Sequence, residues 1–211
     1  LDQGNTVNWL FDTPDISGRV FAADGQTPLA NKTVAYVLSG SAFPVDFAET
    51  DVNGAFTVSG AIMSGGDVIT LYLDTEAEDA VTVLLGSGGT MTGIHLLQNH
   101  LVVRSESGSS PVTNDHIARA DNVTVDVRAI IASSTPAIVT MSGNNVLRVW
   151  SGTTFQPGTD VTLGGIDIDG TFAMGTSAVS VSGAWLSTGG TFAGTNTVTF
   201  ASVSDRLAVQ S

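Results

Sequence analysis

The chain has 211 residues, 42% hydrophobic and only 13% charged, which is too apolar for a disordered segment and about half the usual charged share of a soluble domain. Twenty acids against seven bases give a net charge of −13, with Lys32 the sole lysine, so the surface cannot neutralise a nucleic-acid backbone or an anionic membrane. There is no cysteine for a disulfide framework, and no apolar run approaches the ~18 residues of a membrane span.

In chain order, residues 1–14 form a leader with an apolar patch at Val7, Trp9, Leu10 and Phe11, closed by Pro14-Asp15. It opens with Leu1 rather than Met, which predicts a processed product or a portion of a longer one. Residues 15–74 read as one unit with strands over 16–22, 32–38, 48–50, 55–58 and 67–73. The signals between them are Asp24-Gly25, Ser39-Gly40, Asn53-Gly54 and Gly65-Gly66. Val34, Tyr36 and Leu38 alternate with Thr33, Ala35 and Val37, which predicts one core face. Asn53-Gly54 predicts the tip of a tight hairpin, because both residues tolerate positive φ.

Residues 75–211 read as a β-repeat region. Strands are expected at 81–85, 94–97 and 100–104, with a loop over 105–114. A long alternating strand follows over 122–131, with Val123, Val125 and Val127 on one face. Residues 138–141 and 146–150 read as a hairpin around Ser142-Gly143-Asn144-Asn145. Three blocks then begin at Gly152-Thr153-Thr154-Phe155, Gly170-Thr171-Phe172 and Gly190-Thr191-Phe192. The phenylalanines are 17 (172 − 155) and 20 (192 − 172) residues apart, the spacing of stacked β-units such as solenoid rungs or similar hairpins. The expected fold class is all-β: an Ig-like sandwich followed by a solenoid-like or second-sandwich repeat region.

Two stretches resemble known families. Ile16-Ser17-Gly18-Arg19-Val20, Pro28-Leu29-Ala30-Asn31-Lys32-Thr33-Val34 and Thr50-Asp51-Val52-Asn53-Gly54-Ala55-Phe56 resemble the carboxypeptidase-regulatory-like and transthyretin-like Ig-type sandwiches. That resemblance implies a spacer or binding module without catalysis. The run from Ser182 to Phe200, with Trp185, Gly190-Thr191-Phe192, Gly194-Thr195 and Val198, resembles repeats of large bacterial adhesins and surface proteins. It implies a cell-surface role.

No residue set announces a reaction. His95, His100 and His116 lack metal-ligand spacing, and no serine lies in a G-x-S-x-G elbow. Asp167 and Asp169 share one strand face, a pair that solvent, a calcium ion or a glycosidase-type mechanism could use; Glu76, Glu78 and Asp79 divide the same way. Trp9, Trp150 and Trp185 are candidates for sugar stacking or for packing, and Asn31 and Asn122 open N-x-[ST] triplets. The expectation is therefore a non-enzymatic, extracellular structural subunit of a filament or surface layer, a homopolymer built by strand addition through Val7, Trp9, Leu10 and Phe11. The alternative is an adhesin or binding module that recognises a glycan or a surface protein. No cofactor is expected, apart from calcium at Asp167 and Asp169.

Overall fold

The computed structural model describes residues 13–39, 41, 43–121, 124–135, 138–187, 189–201 and 209–210. The chain is all-β, with two short helices among the described residues. Its first eight strands are β1 (Ile16–Phe21), β2 (Thr33–Leu38), β3 (Asp46–Glu49), β4 (Ala55–Val58), β5 (Gly65–Leu73), β6 (Val81–Ser87), β7 (Met91–Leu97) and β8 (His100–Ser105). They form two packed layers. One is the three-stranded sheet β4-β1-β7, and the other is the run β3-β2-β5-β6-β8. Between them lie Ile16, Val20, Tyr36, Phe56, Leu71 and Leu84, all buried.

Residue 74 is not an edge of this packed unit. β6 pairs with β5, β7 runs parallel to β1, and β8 runs parallel to β6, so strands beyond Asp74 complete both layers. The reason is topological: β1 finds its second neighbour some 75 residues later, at Met91–Leu97. Sequence proximity carries no trace of that pairing.

Two helices follow, α1 (Asn114–Ala120) and α2 (Val125–Ile130). α1 begins at the last residue of the expected loop, and α2 stands within the stretch expected as a strand over 122–131. Thr113 caps α1 in a capping box with His116, and Asp115 and Arg119 pair one turn apart at 2.6 Å. Thr124 caps α2 by accepting from the Val127 N–H. Alternation would put Val125 and Val127 on one face, yet Val125 is 80% exposed and Val127 only 1%. The buried set is instead Val127, Ile130 and Ile131, the three- and four-residue spacing of a helix face.

The helices cover the second face of β5 and β6, where Thr70 Oγ1 donates to the Ala120 carbonyl. β2 consequently has two core faces, with Val34 and Tyr36 in one cluster and Ala35 and Val37 in the other. Strands buried on both sides read as continuous apolar runs rather than as alternation.

β9 (Ile131–Thr135) and β10 (Ile138–Met141) lead into a three-sided parallel solenoid. Its first rung is β11 (Val146–Val149), β12 (Thr154–Phe155) and β13 (Asp160–Leu163). The second is β14 (Gly165–Ile168), β15 (Thr171–Gly175) and β16 (Val179–Val181). The third is β17 (Trp185–Leu186), β18 (Thr191–Gly194) and β19 (Val198–Phe200), and β20 (Val209–Gln210) begins another. The expected hairpin of β10 with β11 does not form. β10 pairs with β9 and β13, while β11 pairs with β8 and β14, so residues 142–145 turn a corner between two sheets.

The repeated phenylalanines stack in register, Phe155 on Phe172 on Phe192, with ring centroids 5.2 and 5.4 Å apart. The repeated glycines have a packing cause. A Cβ on Gly170 would strike the Trp150 and Thr153 carbonyls of the rung before, and one on Gly190 would strike that of Ile168. β8 belongs to both units, so one nine-stranded sheet runs β20-β17-β14-β11-β8-β6-β5-β2-β3 through the molecule. The core on its helix-covered face continues from Val81 and Val83 into Leu147, Ile166 and Phe172 inside the solenoid.

Candidate functional site

On the solenoid, alternation sends Leu147, Val149, Ile166 and Ile168 inward. Arg148, Asp167 and Asp169 are left on the outer face of β11 and β14. Arg148 stands directly opposite Asp167 in the ladder, and its guanidinium reaches both carboxylates: Asp167 Oδ2 at 3.2 Å and Asp169 Oδ2 in a shorter contact. The two acids do share a face, and a cation already sits there. Burial pushes the Asp167 carboxyl above the usual aspartate range, with Arg148 pulling the other way. Among the described residues, no group of three or more His, Cys, Asp or Glu side chains is arranged to hold a metal ion. The signal for this clamp was the repeat itself: Arg148 and Asp167 are 19 residues apart (167 − 148), one rung.

The clamp continues toward the junction of the two units. Trp150 lies edge-on to His95 with centroids 4.6 Å apart, and His95 lies edge-on to Phe21 at 5.2 Å. The Arg148 and Arg104 guanidinium groups lie 5.3 and 5.8 Å from the Trp150 ring centre. Arg104 also pairs with Glu106 and donates to the Thr92 and Gly93 carbonyls of β7. These contacts fasten the edge of the small sheet to the first solenoid rung. Beside them a shallow cleft of about 290 Å³ opens on the outer face of the small sheet, lined by Arg19, Thr57 and His95 among others.

Each of the three histidines is engaged in a structural contact. Burial holds all three imidazoles below the ordinary 6.5, with neighbouring arginines adding to the effect. His100 Nδ1 donates to the Gln98 carbonyl at 2.7 Å, and His116 serves the α1 capping box. Trp185 is 8% exposed and packs against Phe192 and Phe200, and the Trp150 ring is taken up by His95 and two guanidinium groups. Trp185 has no exposed face of the kind sugar stacking requires. The acidic connector is engaged as well: Lys32 Nζ lies 3.2 Å from Glu76 and 2.5 Å from Glu78, and Glu76 accepts from the Thr33 N–H. Burial raises the Asp79 carboxyl.

Val7, Trp9, Leu10 and Phe11 lie outside the described residues. What the sequence reading missed is a surface on β3 and the residues just ahead of it. Phe43 is 77% exposed, and Val45 and Phe47 are 50% exposed each. Among the described residues, β3 has β2 on one side and no strand on the other. The apolar spacing 43, 45, 47 was the available signal, interrupted by Pro44 and Asp46.

No protein-family model matches the chain, and no curated protein or solved structure matches it either.

Proposed function

We propose that this chain is a structural subunit of an extracellular filament or surface layer, that its partners are further copies of itself, and that it assembles through open β-sheet edges. One observation carries the reading. Among the described residues, a single sheet runs through both units and ends at β3, and five of their eight exposed large apolar side chains fall within residues 43–62: Phe47 on β3, Phe43 and Val45 just ahead of it, and Val52 and Ile62 after it. Soluble monomers blunt such an edge with charged side chains, lysine above all; β3 has no lysine, and its charges are Asp46 and Glu49. In this reading the protein carries out no reaction and needs no cofactor. The resemblance to Ig-type modules and surface-protein repeats agrees with it.

Negative-stain electron microscopy of the purified chain across a concentration series, alongside sedimentation velocity, tests the proposal. Ordered polymers or sheets that grow with concentration are expected. A monodisperse monomer throughout the series overturns it.

A further inference from the structure

We propose that the outer edge of β3 is the acceptor for the leader, residues 1–11, of a second copy, an inference that rests on the subunit reading above. Three observations select that edge and that occupant. The first is the contrast between β4 and β3, the strands that end the two layers among the described residues. On β4, Phe56 and Val58 point into the core, and the outward residues are Ala55 and Thr57. On β3, Phe47 is half exposed, and Val45, also half exposed, and Phe43 lie just ahead of the strand. A tenth strand laid along β3 would cover them.

The second is pattern. In the leader, Val7, Trp9 and Phe11 recur every second residue, so as a strand they present one apolar face. Laid along β3, that face would lie beside Phe47 and the exposed Val45 and Phe43 ahead of it. Main-chain ladder bonds supply register, and the aromatic side chains supply anchoring.

The third is charge. β3 carries Asp46 and Glu49 in a chain of net charge −13. Pairing two β3 edges across a two-fold axis would set these carboxylates against their counterparts, which disfavours a symmetric contact. The leader from Gln3 to Phe11 has no charged side chain and meets no such repulsion.

Asp46 also guards the edge. Its carboxylate accepts from the Phe47 N–H at 2.8 Å, a contact within β3 itself. An incoming strand competes with that carboxylate, so Asp46→Ala is expected to promote the contact. The chain enters the small sheet with the Pro14 carbonyl accepting from Ala61 N–H and the Asp15 carbonyl from Met91 N–H.

The absence of cysteine makes a direct test available in the full chain. Chains carrying Asn8→Cys are mixed with chains carrying Glu49→Cys, treated with a short bismaleimide and run on a denaturing gel. A covalent heterodimer is expected, increased by Asp46→Ala and reduced about tenfold by Phe47→Lys, as for loss of an interface anchor. Mixing Asn8→Cys with Thr57→Cys on β4 should give little product. Equal or stronger linkage to Thr57→Cys overturns the inference. So does linkage confined within single chains when Asn8→Cys and Glu49→Cys are combined in one molecule. Polymers seen by microscopy without linkage at β3 overturn this inference and leave the subunit reading standing. Linkage at β3 in a sample that stops at dimers supports the acceptor edge and overturns the subunit reading.

Discussion

Gly54 offers the sharpest test of the turn that joins the two layers. Its φ is +70°, and a Cβ built there would lie 2.5 Å from the Val20 carbonyl oxygen and 3.2 Å from Leu29 N. The same carbonyl accepts from Leu29 N–H at 3.0 Å, and the Gly54 carbonyl accepts from Val20 N–H at 2.8 Å. Gly54→Ala therefore does two things. It places an L-residue in the left-handed region, at about 1–2 kcal/mol. It also pushes aside a hydrogen-bonded main-chain carbonyl, at about 1–3 kcal/mol. The expected loss is about 2–5 kcal/mol, and Gly54→Val, with its branched Cβ, should lose more. Gly143 is the matched control, because its φ is +51° and nothing lies within 4 Å of a Cβ there. Gly143→Ala should lose only the first term. Urea unfolding at constant m gives both values. If Gly54→Ala loses no more than Gly143→Ala, the close approach of β1 to this turn is refuted.

Two further outcomes follow from the polar groups. Arg148→Met leaves Asp167 and Asp169 facing each other without their cation, and with side-chain exposures of 13% and 22% the loss should be about 2–3 kcal/mol by urea unfolding, largely restored by adding Asp167→Asn and Asp169→Asn. Added calcium should leave the wild-type midpoint unchanged, since the guanidinium already bridges the pair. The depressed histidines predict acid sensitivity. The unfolded chain takes up protons as pH falls through 6.5 while the folded imidazoles resist, so their contribution is complete above 6.5 and is lost as pH drops below it toward the folded values. The melting temperature should fall from pH 7 to pH 5, and less steeply in His100→Gln, the replacement at the most buried of the three.

The sequence by itself determined what local chemistry can determine. Short β-branched runs between turn residues specified an all-β chain, and the Gly-Thr-Phe spacing specified stacked units, because a rung repeats its own side-chain pattern and Phe155, Phe172 and Phe192 must meet in register. Only the tertiary structure decided which strands pair. The turns at 51–54 and 142–145 have hairpin chemistry, yet each carries the chain from one sheet to another, since a turn's dihedral angles do not specify the partner beyond it. Burial likewise overrode local pattern in α2: Val123, Val125 and Val127 alternate like a strand, but β5 and β6 had a second face to cover, and a capped helix buries Val127, Ile130 and Ile131 against it. The fate of Asp167 and Asp169 was decided in the same way. Strand alternation set them on one face, and only the stacking of one rung on the next brought Arg148 between them, because that contact joins residues a full turn of the solenoid apart.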